Sequence, residues 1–264
     1  MAKVLYEKRD RIAYVTINRP EARNAIDPET HELLWATWED FRDDDAVDVA
    51  ILTGAGDDAF CAGADLKTYI PPKIREFTPR QVRDNVAHGF GGLTRGLHRI
   101  YKPVIAAVNG WALAGGLEMA LACDIRIASE RALFGSFEAR RGYHHGDGGI
   151  VRLVNTCGAG IALEMLLTAE PIDAERALRC NLVSRVVPHD ELLAAAESTA
   201  QSILRNSQIA VRSAKETIFD VIGRPLDDQL RIEALMAYSC ADREETLGRL
   251  EQFYERTDPG RATR

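Results

Sequence analysis

The chain has 264 residues, 46% of them hydrophobic, which is enough to bury one substantial core or a core with a small appendage. Charged residues make up 28% and the aromatic content is ordinary, so the composition excludes an intrinsically disordered protein. The formal net charge of −7, without a cluster of Lys and Arg, argues against nucleic-acid binding but leaves room for a phosphorylated ligand, because a few local cations suffice for one.

The first half of the chain alternates strand and helix patterns. Apolar residues predict two strands, at 4–8 and 12–18, around a tight turn at 9–11. Asp27 and Pro28 predict the start of a helix, since Asp is a favoured N-cap and Pro fits the first helical position. The rest of this half is predicted to add strands at 47–52, 104–108 and 123–128 and a helix after Gly115-Gly116.

Residues 71–85 interrupt this pattern, since they are polar and contain Pro. We expect a mobile loop there, leading into a helix that ends near Ile100. From about Asp147 onward helical patterns dominate, and only 183–187 is predicted to be extended. The predicted helices of this half are 161–169, 174–180, 191–206, 209–222, 227–240 and 244–256. The chain is thus expected to begin with βα units and to end in a helical part.

Neither a targeting segment nor a disulfide framework is indicated. The N-terminus lacks the apolar core of a signal peptide, and no apolar run reaches the ~18 residues of a membrane helix. The five cysteines are odd in number and form no CxxC pair, which argues against disulfides and against a zinc site. We therefore expect a cytoplasmic protein with reduced cysteines, no bound metal and no membrane partner.

Glycines follow the strand predicted at 47–52. Residues 54–59, GAGDDA, fit a loose dinucleotide-binding fingerprint, and Glu76 lies about twenty residues further on, as that fingerprint requires. No convincing amphipathic helix follows, so a glycine turn at the end of a strand is the preferred interpretation. An NAD-dependent oxidoreductase stays open here as a hypothesis from a different class of enzyme.

Three further segments carry groups that suit chemistry on an anionic ligand. Residues 60–66, FCAGADL, are small enough for a ligand to approach the backbone N–H groups closely. Residues 109–118 place paired glycines at a predicted helix N-terminus, which favours negative charge, and Glu118 falls in its first turn. Residues 134–149 combine Glu138 with two histidines and an aspartate. Each segment taken alone is also compatible with a purely structural role.

The order and spacing of these segments resemble the crotonase superfamily of acyl-CoA enzymes, and most closely an enoyl-CoA hydratase. The resemblance covers nearly the whole chain, and it is carried by the following residues: VTINRP at 15–20 with Asn24-Ala25, LTG at 52–54, AGADL at 62–66, KPVIAAVNG at 102–110, Gly115-Gly116, Cys123-Asp124 and the helical tail. The individual motifs are loose, whereas the ordered set is specific.

The resemblance implies a catalytic role for five residues. The backbone N–H groups of Ala64 and Gly115 would bind the thioester oxygen as an oxyanion hole, which suits a reaction that develops negative charge on that oxygen. Glu118 would take a proton from the attacking water and Glu138 would deliver one to C2, although the two roles could be reversed. The N–H of Gly146 would help to hold the water.

The resemblance also implies the fold, the ligand contacts and the assembly. The expected fold is α/β, with a crotonase-type ββα spiral core at 1–200 that binds CoA, and a helical trimerisation region at 201–264. A homotrimer or homohexamer is expected, in fatty acid metabolism, with CoA entering as part of the substrate and with no separate cofactor. The expected CoA contacts are Arg23, Ala25, Ala62, Ala64, Asp65 and Leu66, together with Phe253 and Arg256 from a neighbouring subunit.

The sequence departs from the family pattern beside the expected site. Ala114 replaces a glycine, Phe137 replaces a proline, and His145 and Asp147 fall in a run that is commonly Pro-Gly-x-Gly-Gly, with His144 before it. A histidine there could be a third acid/base group, or it could be paired with Asp147 or face solvent. A same-fold isomerase, or a C–C bond hydrolase using His145 and Asp147, therefore stays open.

The residues at 67–90 are expected to select the acyl group. Tyr69, Ile70, Phe77 and Phe90 suggest an apolar pocket, although prolines and charges lie between them.

Overall fold

The computed structural model of the chain describes residues 2–76, 78–95 and 100–257, apart from the side chains of 73, 74, 84, 85, 87, 88, 256 and 257. Phe77 and the side chain of Arg256 therefore lie outside the described part. In chain order the strands are β1 (Val4–Arg9), β2 (Ile12–Ile17), β3 (Val49–Gly54), β4 (Ala59–Cys61), β5 (Val104–Val108), β6 (Trp111–Leu113), β7 (Ile125–Ser129), β8 (Leu133–Gly135), β9 (Ile172–Asp173) and β10 (Arg185–Val187). The helices are α1 (Pro28–Asp43), α2 (Ile70–Glu76), α3 (Pro79–His88), α4 (Gly115–Ala122), α5 (Gly149–Thr168), α6 (Ala174–Arg179), α7 (Leu192–Leu204), α8 (Gln208–Val221), α9 (Leu226–Ser239) and α10 (Arg243–Thr257).

The larger sheet has the strand order β1-β2-β3-β5-β7-β10. Its first pair is an antiparallel hairpin, and the predicted tight turn is made by Asp10 and Arg11, which both have positive φ. The other pairs are parallel. β3 and β5 are buried almost throughout, as expected for apolar strands covered on both faces. The predictions for the long strands are thus confirmed to within a few residues.

The smaller sheet has the strand order β4-β6-β8-β9 and was missed by the sequence analysis. Its strands have two or three residues each, too few to show an alternating pattern. β4, β6 and β8 are parallel neighbours, and β9 closes the sheet in antiparallel orientation. Consecutive strands of the chain enter the two sheets in turn, β3 then β4, β5 then β6, and β7 then β8, which makes a spiral of repeated units.

The expectation of a loop at 71–85 was wrong, because α2 and α3 occupy most of it. Their prolines stand in the first turns, where a missing N–H breaks no helical hydrogen bond. The helix expected to reach Ile100 is also absent as far as residue 95. There Gly89, Gly91 and Gly92 have positive φ at the short 3-10 turn Phe90–Gly92, and three such residues in close succession end the helix.

Helix α5 is longer than predicted and has a kink at Gly158, whose φ is +79°. By length and composition alone α5 is apolar enough to cross a membrane, with a mean hydropathy of 1.5 over its best 18 residues, as core helices of other proteins also are. Arg152 and Glu164 interrupt its apolar run, so the expectation from the sequence is not contradicted. Only 17% of that window is buried. Leu153, Ala162 and Met165 nevertheless belong to the hydrophobic core, so one face of the helix packs within the fold.

The chain divides into two compact units, Met1–Ser202 and Ile203–Arg264, with the division inside α7. The first unit contains the hydrophobic core, in which Trp38, Phe41, Phe60 and Phe134 are fully buried. In the second unit, α8 and α9 have no buried residue. The oligomerisation role of this second unit stays a prediction.

Candidate active site

The three segments expected to carry chemistry leave the small sheet at one edge. Residues 62–66 follow β4, residues 114–118 follow β6, and residues 136–138 follow β8. Because β4, β6 and β8 are parallel and adjacent, their carboxyl ends lie side by side. The small sheet, which the sequence pattern did not predict, therefore brings the three segments together.

These strand ends open into a cavity of about 640 Å3. Most of the residues singled out from the sequence line it: Arg23, Ala62, Ala64, Leu66, Gly115, Glu118, Glu138 and Gly146. Gly146 has open space where a Cβ would stand and an ordinary φ, so nothing in the fold itself requires glycine there. Its position in the cavity wall agrees with a role beside the ligand.

Ala64 and Gly115 line the same cavity and belong to segments that touch each other. A Cβ built on Gly63 would lie 3.0 Å from the Gly115 nitrogen, so the two segments touch at this point. The bonds around Ala64 use its neighbours: the N–H of Ile26 donates to Gly63, and the N–H of Asp65 donates to Ile26. Gly115 is the first residue of α4, where N–H groups have no helical acceptor. Within the described residues neither N–H has a hydrogen-bond acceptor, so both can bind an anionic oxygen.

At position 114 the family pattern has glycine, and alanine in its place has to adopt a strained backbone conformation. Its φ is +52° and its ψ is −123°, which L side chains rarely adopt. The conformation is held on both sides, because the N–H of Ala114 donates to Gly135 and its carbonyl accepts from Glu118. Such a residue stores about 1–3 kcal/mol of strain, here directly beside Gly115.

Glu118 is buried and is held as an acceptor. Its Oε1 accepts the N–H of Asp147 at 2.8 Å and the N–H of Gly149 at 3.0 Å, both at the N-terminus of α5. Burial alone would raise the pKa of Glu118, but His145 and these two N–H groups outweigh it and leave the pKa below its ordinary value. Glu118 is thus prepared to act as a carboxylate base.

Glu138 is equally buried but has different partners. It follows β8 and precedes a short 3-10 turn, and its Oε2 accepts the hydroxyl of Ser136 at 3.2 Å. Its Oε1 lies 2.8 Å from Nδ1 of His145. No backbone N–H of the described residues donates to this carboxylate, in contrast to Glu118.

His145 lies between the two glutamates, and its side chain is 0% exposed. Its Nδ1 is 2.8 Å from Glu138 and 3.3 Å from Glu118. Both contacts are ion-pair contacts rather than aligned hydrogen bonds, since neither ring nitrogen meets hydrogen-bond geometry. Burial alone would lower the pKa of His145, but the two carboxylates outweigh it and raise the pKa to about 9.

The two sequence-based alternatives for this histidine are therefore not what the structure shows. His145 does not face solvent, and its ion-pair partners are the glutamates rather than Asp147. The Asp147 carboxylate instead lies 3.1 Å from Arg95 and 3.4 Å from the Thr94 hydroxyl. His144 is exposed, with its Nδ1 2.7 Å from the backbone oxygen of His145.

The same three side chains are the group in the described part of the chain that could hold a metal ion. One ligand atom each from Glu118, Glu138 and His145 lies within 4.8 Å of the others. Carboxylate and imidazole ligands suit zinc, iron or manganese. The expectation that this site works without metal or cofactor stays a prediction.

Two of the residues expected to contact CoA, Asp65 and Ala25, form hydrogen bonds or ion pairs within the fold instead. The Asp65 carboxylate lies 3.3 Å from Arg19 and accepts the N–H groups of Lys67 and Thr68, and Ala25 supplies its carbonyl to the same Arg19. Neither Asp65 nor Ala25 lines the cavity. Phe253 is exposed on α10 in the second unit. Its role and that of Arg256 stay predictions.

The glycine loop at 54–59 does not have the form of a dinucleotide site. It leads into β4, with no helix whose N-terminus could receive a pyrophosphate. A Cβ on Gly54 would lie 2.3 Å from the Phe60 carbonyl oxygen, so this glycine is required by close backbone packing. The loop is a structural turn, and nothing in it supports the NAD-dependent alternative.

One side of the cavity is apolar with a polar end. Tyr69, Ile70, Val86 and Phe90 line it, as do Arg95 and Asp147. The rings of Tyr69 and Phe90 meet edge to face, with centroids 5.6 Å apart. Sequence reasoning identified three of these apolar residues and missed the polar end, because Arg95 and Asp147 are 52 residues apart in the chain.

Comparison with known proteins identifies the family of the chain. A family model described as enoyl-CoA hydratase/isomerase matches residues 7–261. The chain is 38% identical over 258 residues to an (E)-benzylidenesuccinyl-CoA hydratase of Thauera aromatica, covering 97% of each chain. It is 38% identical over 253 residues to a short-chain-enoyl-CoA hydratase of Clostridium acetobutylicum, covering 96% of this chain and 95% of the relative. The crystal structure of an enoyl-CoA hydratase from Bacillus anthracis superposes with a TM-score of 0.84 at 34% identity, covering 98% of this chain and 97% of the other.

Proposed function

The chain belongs to the enoyl-CoA hydratase/isomerase family and hydrates an enoyl-CoA, and from this premise we propose that Glu118 and Glu138 together add water across the double bond of a 2-enoyl thioester. The product is a 3-hydroxyacyl-CoA. The single observation that carries the proposal is the pair of buried carboxylates that line one cavity with two unoccupied backbone N–H groups.

The N–H groups of Ala64 and Gly115 bind the thioester oxygen in this proposal. Attack of water at C3 moves negative charge from the double bond onto that oxygen, giving an enolate. Donors fixed by the backbone stabilise this charge without having to reorganise, and losing one such donor typically costs about 3 kcal/mol of barrier. The strained backbone at Ala114 holds one of the two donors in place.

Glu118 is the base and Glu138 the acid. Glu118 is held ionised by the N–H groups of Asp147 and Gly149, so it accepts a proton from water while the water oxygen bonds to C3. Glu138 gives a proton to C2 of the enolate and restores the thioester carbonyl. One hydroxyl and one proton are thus added, and the proton taken up by Glu118 replaces the one that Glu138 gave.

The cavity mouth supports a CoA thioester as the form of the substrate. Arg23 lines it and offers a local positive charge for phosphate in an otherwise acidic protein. Leu66, 49% exposed at the same cavity, offers an apolar surface. A homotrimer or homohexamer is supported by the exposed apolar side chains of α8 and α9.

The isomerase and C–C hydrolase alternatives are not favoured. A hydrolase working through a histidine and an aspartate needs the two side chains in contact, whereas Asp147 is paired with Arg95.

The test is hydration of crotonyl-CoA, followed as loss of the enoyl-thioester absorbance. Glu118→Gln and Glu138→Gln should each lower kcat by about 10³-fold with a much smaller change in KM, because each removes a proton-transfer group and keeps the shape of the site. Glu130→Gln, on an exposed carboxylate after β7, is the matched control and should keep wild-type rates.

Two results would contradict this assignment. Near-wild-type turnover in either glutamine variant would remove that residue from the reaction. Absence of turnover with crotonyl-CoA and with longer or branched 2-enoyl thioesters, although CoA still binds by calorimetry, would show that the bound thioester undergoes a different reaction.

A further inference from the structure

An ion pair stands at the end of the apolar side of the cavity. Arg95 and Asp147 line the same cavity as the rings of Tyr69 and Phe90. Nη2 of Arg95 donates to Oδ1 of Asp147 at 3.1 Å. The two side chains are 33% and 14% exposed, so part of this pair is in contact with solvent. A ligand that fills the apolar side of the cavity to its end therefore meets a guanidinium and a carboxylate.

The pair is held in place by a second guanidinium. Arg152 on α5 donates to the backbone carbonyl of Asp147 at 3.0 Å and to that of Thr94 at 2.7 Å. The hydroxyl of Thr94 lies 3.4 Å from Oδ1 of Asp147. A Cβ on Gly148 would lie 2.0 Å from Nη1 of Arg152, so the glycine leaves the room that this guanidinium needs. The segments that carry Arg95 and Asp147 are thus joined to each other without a ligand.

The pair also lies close to the reacting centre. The N–H of Asp147 donates to Oε1 of Glu118 at 2.8 Å, while the carboxylate of the same residue accepts from Arg95. A single residue thus connects the proposed base with the ion pair. In the proposed function Glu118 activates the water that bonds to C3, so the pair should meet the acyl group only a few carbons beyond C3.

An acyl group without polar atoms would be a poor fit to this end of the cavity. A hydrocarbon chain that reaches Arg95 and Asp147 takes solvent away from them and offers no hydrogen bond in return. The loss of hydrogen bonds at a charged group is costlier than at a neutral one. Sites that present hydrogen-bonding groups discriminate strongly against a substrate analogue that lacks the matching group.

The charges around the pair favour a neutral polar group in the substrate. A substrate carboxylate would be repelled by Asp147 and Glu118, and a substrate ammonium by Arg95. A hydroxyl is one donor and an acceptor at once. It can accept an N–H of Arg95 and donate to the carboxylate of Asp147, and so it satisfies both members of the pair without adding a charge.

We propose that Arg95 and Asp147 are specificity-determining residues, which select a 2-enoyl-CoA whose acyl chain carries a hydroxyl group a few carbons beyond C3. This inference rests on the proposed hydratase function, because it names the substrate class of that same site. The hydroxyl of the substrate binds to the ion pair and is not consumed. The proton transfers of Glu118 and Glu138 are the same as for a plain enoyl chain.

The test compares trans-2-enoyl thioesters in matched pairs, in which a terminal methyl group replaces the hydroxyl. The pairs are 5-hydroxy-2-pentenoyl-CoA with 2-hexenoyl-CoA, 6-hydroxy-2-hexenoyl-CoA with 2-heptenoyl-CoA, and 7-hydroxy-2-heptenoyl-CoA with 2-octenoyl-CoA. For the wild type, kcat/KM should favour the hydroxylated member by about tenfold or more in at least one pair. The chain length of that pair gives the distance from C3 to the ion pair.

The variant Arg95→Met keeps a long side chain and loses the guanidinium. It should reduce the preference for the hydroxylated member to about twofold or less, mainly by lowering kcat/KM for that member. Arg185→Met, the same change at an exposed position on β10, is the matched control and should keep the wild-type preference.

Three results would overturn the proposal. The first is a wild-type enzyme that turns over the methyl member of every pair at least as well as the hydroxylated one. The second is a wild-type preference in folded Arg95→Met. The third is a higher kcat/KM for a chain of the same length that ends in a carboxylate or an ammonium group, which would assign a charged substrate to this end of the cavity.

Binding without turnover separates this proposal from the hydratase assignment. Saturated thioesters, such as 6-hydroxyhexanoyl-CoA against heptanoyl-CoA, have no double bond to hydrate, and calorimetry on the wild type measures their Kd. Tighter binding of the hydroxylated thioester supports the proposal even where no enoyl thioester is hydrated. Equal binding within every saturated pair overturns it, even where crotonyl-CoA is hydrated and even where Arg95→Met does not fold.

Discussion

The strand ends of the first unit and the helices of the second use apolar residues in different ways. β4 and β8 each contain a phenylalanine, Phe60 and Phe134, that is fully buried. α8 and α9 carry side chains of similar size, but Phe219 is 47% and Leu235 65% exposed, and neither helix has a buried residue. The site is supported by buried side chains of its own unit, whereas α8 and α9 leave apolar side chains exposed, which agrees with the proposed assembly of the chain into an oligomer.

Truncation of one phenylalanine in each unit measures this difference most directly. Phe134→Ala should lower the free energy of unfolding by about 3–5 kcal/mol at any protein concentration, because it opens a cavity under the small sheet. Phe219→Ala should cost less than about 1 kcal/mol in dilute protein and more where the chain is assembled. Urea unfolding at several protein concentrations checks both, and a Phe219→Ala variant that is neutral throughout would argue against assembly through this face.

Ionisable groups give a second contrast. His145 has its pKa raised to about 9, so the stability it contributes is fully present below about pH 6.5 and is lost as the pH rises through 9. We expect the free energy of unfolding to fall by on the order of 2 kcal/mol over this interval, and to fall much less in His145→Asn. In the second unit, the exposed pair of Arg249 and Glu245 should contribute almost no pH dependence there. Equal slopes for wild type and His145→Asn would show that His145 is not charged in the folded protein.

Backbone strain gives the smallest expected effect. Ala114, beside the proposed oxyanion donor Gly115, has φ +52°, whereas the second unit has a glycine, Gly223, at φ +82°. Ala114→Gly should stabilise the protein by about 1 kcal/mol, and Gly223→Ala should destabilise it by about the same amount. Thermal and urea unfolding measure both changes. A destabilised Ala114→Gly would show that packing of the Ala114 methyl group outweighs the strain.

Much of the large sheet and of the C-terminal helices could be predicted because their patterns extend over several residues. The small sheet could not be predicted, since β4, β6 and β8 have three residues each, which is too few to show a pattern. Their pairing depends on where the preceding strands of the large sheet place them. The loop expected at 71–85 illustrates a different error. Its prolines stand in first helical turns, where they are compatible with α2 and α3.

The sequence predicted which residues belong to the candidate site better than it predicted the contacts between them. Glu118 and Glu138 came from the resemblance to a family, and both line the cavity. The sequence identified His145 as a possible third acid/base group, but its ion pairs with both glutamates depend on how the first turn of α4, the segment after β8 and the loop before α5 pack together. The same is true of Arg95 and Asp147, which only the folded chain brings to within 3.1 Å of each other.

The spiral has a consequence for how such an enzyme diversifies. The segment between β4 and β5 supplies Tyr69, Ile70, Val86 and Phe90 to the cavity, and its described residues add no strand to either sheet. We therefore expect an insertion or deletion in α2 or α3 to leave the register of β4, β6 and β8 unchanged, and with it the positions of Ala64, Gly115 and the two glutamates. In the proposed function, the apolar residues that would contact the acyl group and the residues that would move protons therefore lie in separate stretches of the chain, so one stretch can vary while the other is inherited unchanged.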